Sequence, residues 1–323
     1  MTHAAGQHAP DAGRPDGGGA RDGPRPASAH AAAAPDPADA VFFDLPRWEG
    51  AKQRLGAAFR AMPGAFRDRA TSDEFFSYMV TPRSGRWAFR PNGKAATTTA
   101  LEALFFLEFG HPNTARIADP TDMNPDAAVH RMAGSGVFRH LHLRHDAEDL
   151  PGFLRATAYV ATVRHPGARA LSAFRYLCRS HRAAHPQFAA ERFRMTALTG
   201  FDWDRHDGTE EGFRRFLDYV RLCNERQVGR PVNNHFRPQA DTIRPDLFPP
   251  AVLGRVEDMP AFFRDLADRL RPGAAMPQGW ADRRANRGAP AQEADVALLR
   301  APGVRRRIEA CYAADFEAFG YDP

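Results

Sequence analysis

The chain has 323 residues, 43% of them hydrophobic, with a formal net charge of +5 and a pI near 9.4. That is enough apolar material for a sizeable core, and the 39 acidic residues interspersed with 44 basic ones exclude a nucleic-acid-binding tail. Cys178, Cys223 and Cys311 are too widely spaced for a disulfide framework or a zinc pattern, and no apolar run reaches the roughly 20 residues of a bilayer span.

Residues 1–39 carry almost no large apolar side chain, so they are expected to form a disordered tail before a single domain over 40–323. They also lack the apolar stretch of a secretory signal, and a cytoplasmic protein is expected. An amphipathic helix is predicted over Trp48–Phe66, broken near Pro63-Gly64. Next, an extended Arg86–Arg90 leads into a turn containing Lys94-Ala95-Ala96-Thr97-Thr98-Thr99, and a helical pattern runs on to Leu107. Only two of the 44 basic residues are lysines, so a lysine in this turn invites a chemical reason. A strand, a tight turn and a helix N-terminus cradle phosphate: Lys94 supplies charge, Thr97 and Thr98 hydroxyls, and Ala95 and Ala96 room for the backbone. The competing reading is a threonine-rich helix cap beside an exposed lysine. The spacing is not that of a P-loop nucleotidase, because Ala88 stands five positions before Gly93.

Gly136–Leu143 alternates as a strand does, which would put His140 and His142 on one face. Ala158–Val163 reads as another strand, followed by the turn Arg164-His165-Pro166-Gly167 and a helix over 168–182. Pro166 suits a helix start, and Arg164 with Ser172 could hold a second phosphate. The competing reading is a surface helix with solvated arginines, and it remains adequate for Arg169 and Arg175 individually. The basic stretch Arg175–Arg194 fits either a solvated face or a groove for an acidic glycan. Later segments, 209–227, 260–271 and 291–319 with a break at Pro302-Gly303, read as helices. The expected fold is α/β, a P-loop-like central parallel sheet flanked by helices, with functional loops at the carboxyl ends of the strands.

The two turns resemble the 5′- and 3′-phosphate motifs of sulfotransferases that use 3′-phosphoadenosine 5′-phosphosulfate (PAPS), in particular the Golgi-type carbohydrate branch and its bacterial relatives. Arg164, His165, Pro166, Arg169, Ser172 and Phe174 match the second motif in full; Lys94, Thr97, Thr98 and Thr99 match the first. The first departs from the pattern at Gly93, where the family has proline, and at Ala96, where it has glycine. Asn234–Gln239, Gly254–Met259 and Tyr312–Tyr321 are similar to further family segments in the same order. The resemblance implies sulfuryl transfer from PAPS to a hydroxyl, with Lys94 through Thr99 on the 5′-phosphosulfate and Arg164 and Ser172 on the 3′-phosphate.

Such transfer needs a base for the acceptor proton and positive charge at the leaving group. Lys94 suits the second task. For the first, His140-Leu141-His142 is similar to the His-x-His strand of uronyl 2-O-sulfotransferases, which favours His142 and then His140 over His145, His165 and His235. No carboxylate or cysteine lies at matching spacing, so no metal is expected. The acceptor would be a hydroxyl-bearing molecule, an acidic glycan among the candidates. A P-loop kinase and a non-catalytic glycan-binding relative are the alternatives.

Overall fold

The computed structural model describes residues 41–44, 48–124, 126–226, 232–274, 276–277, 279–280 and 293–323, all within one compact unit. The expected tail, 1–39, lies outside the described residues. Five strands, β1 (Val80–Pro82), β2 (Trp87–Arg90), β3 (Phe138–His140), β4 (Ala158–Val163) and β5 (Val252–Arg255), form one sheet in the order β3-β1-β2-β4-β5. β2, β4 and β5 are parallel, whereas β1 runs antiparallel to both β2 and β3. Four of the five strands therefore point the same way, and the sheet is mixed rather than wholly parallel. The exception is local in origin. Gly85, at φ 67°, closes a tight turn with its N–H on the Pro82 carbonyl at 3.1 Å. So short a connection can join only antiparallel neighbours.

Side-chain alternation splits the core. Trp87, Phe89, Phe138, Val160 and Val252 pack on one face beneath the helices Thr97–Phe109 and Met259–Leu270. Ala88, Tyr159, Ala161 and Val163 face the other side, under the helices Ala51–Ala61, Arg69–Ser77 and Leu150–Ala156. β4 is buried at every position, which is why it reads as a continuous apolar run. A third apolar cluster joins the helices Pro166–Arg182, Glu210–Arg226 and Pro302–Phe319.

The first predicted helix contracts to Ala51–Ala61, and the break expected near Pro302 is present, between Glu293–Arg300 and Pro302–Phe319. β1 and β5 escape the pattern because three or four residues are too few to show a period. The strand expected over 136–143 is also shorter. β3 stops at His140, paired with Val80 at the start of β1; one further bond, from the Leu141 N–H to the Met79 carbonyl at 2.8 Å, closes the ladder. The chain then turns as a 3-10 helix over Leu141–Leu143. His140 and His142 consequently do not share a strand face, contrary to the alternation argument.

Candidate active site

β2 and β4 are hydrogen-bonded neighbours with Arg90 opposite Ala161, so the helices that follow them begin side by side. Neither start is capped by a side chain: Ala96 precedes Thr97–Phe109, and His165 precedes Pro166–Arg182 with proline in its first turn. Two positive helix ends converge at the carboxyl edge of the sheet, an arrangement that favours anions.

The first turn is made largely by backbone. Lys94 and Ala96 sit in left-handed conformations, at φ 66° and 59°. A non-glycine residue there costs roughly 1–2 kcal/mol, so the loop keeps its shape at Ala96 against strain. Gly93 has a steric reason: a Cβ would stand 2.9 Å from the His235 Cα and 3.1 Å from the Asn234 carbonyl oxygen. A proline ring has no room there, which explains that departure from the family pattern. The Thr97 hydroxyl donates to the Asn92 carbonyl at 2.8 Å and closes the turn. Ala95 and Thr99 are buried, so they support the loop from beneath; Thr98 is half-buried.

Side chains fasten the second turn. The Gln239 Oε1 accepts from the Arg164 N–H at 3.0 Å and from the Asn92 Nδ2 at 3.1 Å, tying both turns to one amide. Gln239 Nε2 donates back to the Arg164 carbonyl at 2.8 Å and to Asp315 Oδ2 at 3.3 Å. Asn92 Nδ2 also donates to the Thr162 carbonyl at 2.9 Å. Glu257 accepts from the His165 N–H at 2.8 Å and from the Tyr321 hydroxyl at 3.0 Å. Arg169, read from sequence as solvated, is 1% exposed. It donates to the carbonyls of Gly93 at 2.9 Å, Arg237 at 2.7 Å and Asn234 at 2.6 Å, and so braces the first loop from the second helix. Arg175 instead pairs with Asp295.

Lys94 is half-buried, its Nζ 3.0 Å from the centre of the Tyr176 ring. Burial, then the nearby charges of Arg179, Arg164 and Arg169 against the opposing Asp122, lowers its ammonium from the ordinary lysine value to about 7. A cation crowded by cations is relieved by a bound anion. Ser172, three residues after Arg169 and four before Tyr176, lies on the helix face turned toward this loop. Of the basic stretch, Arg182 pairs with Asp207 at 2.8 Å and Arg192 with Ser180 at 3.0 Å, whereas Arg179 lies over the Tyr176 ring at 4.7 Å.

Because β3 and β2 point the same way, the histidine turn emerges at the same sheet edge as the anion loops, separated by β1, or about 10 Å at two strand spacings. His142 is buried and His140 half-buried, and among the described residues the Nδ1 atoms of both have no hydrogen-bond partner. Burial first, then the charges of His140 and Arg54, lowers His142 to about 4; burial also lowers His140. The imidazole of His142 is therefore neutral near pH 7, in the state that accepts a proton. Arg54 holds this turn through the His142 carbonyl at 3.0 Å.

Between the two regions, Glu74 receives both Arg90 and Arg237 with N–O distances of 2.8–2.9 Å. Sequence reasoning assigned no role to Asn92, Gln239, Asp315, Glu257 or this buried triad. Gln239, Glu257 and Asp315 do stand in the family-like segments, and that was the signal available. Among the described residues no group of three or more His, Cys, Asp or Glu side chains could hold a metal ion, and no helix is long and apolar enough to cross a membrane.

Comparison with curated proteins and with solved structures returned no match. A model described as the sulfotransferase family matches residues 93–322, from the first anion loop to the residue after Tyr321, and by that match over well more than half of its length the chain belongs to the sulfotransferase family.

Proposed function

We propose that the protein transfers the sulfuryl group of PAPS to a hydroxyl of a carbohydrate or glycoconjugate acceptor. The observation that carries this reading is the pair of uncapped helix N-termini on adjacent parallel strands, one with Lys94 and the other with Arg164 at its entry. Two separated anion sites suit a donor with a 5′-phosphosulfate and a 3′-phosphate. Lys94 and the N–H groups opening Thr97–Phe109 take the first, and Arg164 with Ser172 the second.

In the transfer, the acceptor oxygen forms a bond to sulfur while the bond from sulfur to the bridging phosphate oxygen breaks. The acceptor proton passes to His142, with His140 the next choice. The charge that develops on the departing bisphosphate is met by Lys94 and the helix end. Positioning and electrostatics supply the acceleration, as in phosphoryl transfer, and this mechanism calls for no metal.

The test is a thermal shift with adenosine 3′,5′-bisphosphate against ATP·Mg²⁺, followed by label transfer from PAPS. A rise in melting temperature with the bisphosphate is expected; a response to ATP·Mg²⁺ alone would replace the reading with a kinase. His142→Ala should lower kcat by about a hundredfold while leaving the bisphosphate shift intact. Full activity in that variant would move the base to His140.

A further inference from the structure

Trp48 lies outside the matched residues, is 70% exposed, and meets the His142 ring edge-on at a centroid distance of 6.2 Å. Its place is fixed. The Trp48 carbonyl accepts from the Ala51 N–H at 3.2 Å, and Arg54, one turn into the same helix, donates to the carbonyls of Glu49 at 3.2 Å and His142 at 3.0 Å. Tyr78, 48% exposed, precedes Met79, whose carbonyl accepts from the Leu141 N–H at 2.8 Å. Lys52 and Gln53, in the first turn of the Ala51–Ala61 helix, are exposed.

An aromatic face left in water beside a buried imidazole whose Nδ1 has no partner among the described residues is a platform for a ring that also presents hydroxyls. We propose that Trp48 is the acceptor-positioning residue, stacking on the apolar face of an acidic sugar ring and turning one hydroxyl of it toward His142. This rests on the sulfuryl-transfer reading. A small apolar phenol would instead call for an enclosing pocket. An open, partly cationic surface fits a polar oligomer.

Of the four tryptophans, Trp87 and Trp280 are buried and Trp203 is half-buried, so acrylamide quenching lost in Trp48→Phe reports Trp48. The probe is an unsulfated tetrasaccharide of alternating glucuronate and N-acetylglucosamine, with 4-nitrophenol in parallel. The saccharide should shield Trp48 from acrylamide, and Trp48→Ala should raise the saccharide KM about tenfold with kcat and the bisphosphate melting shift unchanged. Trp48→Phe should keep the wild-type KM. Shielding by 4-nitrophenol but not the saccharide, no shielding by either, or a Trp48 already shielded in the saccharide-free chain would overturn the proposal. Should Trp48→Ala fail to fold, the wild-type quenching decides. Loss of the bisphosphate shift in the wild-type protein would instead remove the donor reading and leave the shielding result standing.

Discussion

The two strand-to-helix turns at the carboxyl edge of the sheet are held by different means. At the first, the backbone makes the site: two residues in left-handed conformations, a glycine pressed against His235, and a helix start without a cap. At the second, the backbone is ordinary and side chains hold it, Gln239 on Arg164 and Glu257 on His165. The strained loop is the one that carries the crowded lysine. The rigid turn supplies its brace, Arg169. Strain at a site survives where the surroundings over-determine it, and here the second turn does so for the first.

That dependence can be broken most directly at the brace. Arg169→Ala leaves three carbonyls, that of Arg237 buried and those of Gly93 and Asn234 half-buried, without their donor and should cost about 3–5 kcal/mol of stability in denaturant unfolding. A loss below about 1 kcal/mol would mean the first loop stands without the second. Next comes Lys94→Ala, which should lower kcat roughly a hundredfold or more and leave the fold unchanged by circular dichroism. Unaltered turnover would move the leaving-group role to the second turn.

The pH dependence separates the turns more finely. Below pH 7 Lys94 already holds its proton, so it adds no pH dependence of its own to bisphosphate affinity in that range. Above it, binding the anion must draw a proton onto the amine, and Kd should rise by up to about tenfold per pH unit. Calorimetry at pH 8 in two buffers of different ionisation enthalpy reads this uptake directly; equal heats in both would show that Lys94 is not the anion's partner. The smallest effect is expected at Ala96→Gly, which relieves the left-handed strain and should stabilise by about 1 kcal/mol. The corresponding change at Ala95, buried in an unstrained part of the loop, should not stabilise.

Several parts of this arrangement were legible in contiguous sequence. Pro166 at a helix start, the small residues around Lys94, and β4 as an apolar run each depend on neighbours within a few positions, and local chemistry encodes such features. The histidine turn was legible only in part. Alternation located His140, but where the strand stops depends on where β1 begins, some 60 residues away in the chain. Arg169 misled for the same reason: its helix positions look like a solvated face until segment 234–237 arrives to cover them.

By itself, the sequence determined that two strands each lead through a short turn into a helix start, because helix capping, φ restriction and apolar periodicity act over one or two turns of chain. The tertiary structure alone decided that the two turns sit side by side, that Gln239, Glu257 and Asp315 fasten them, and that β1 separates them from His142. Those are pairings between residues about 60 to 150 positions apart, set by which surfaces the folded core brings together, and no local preference specifies them.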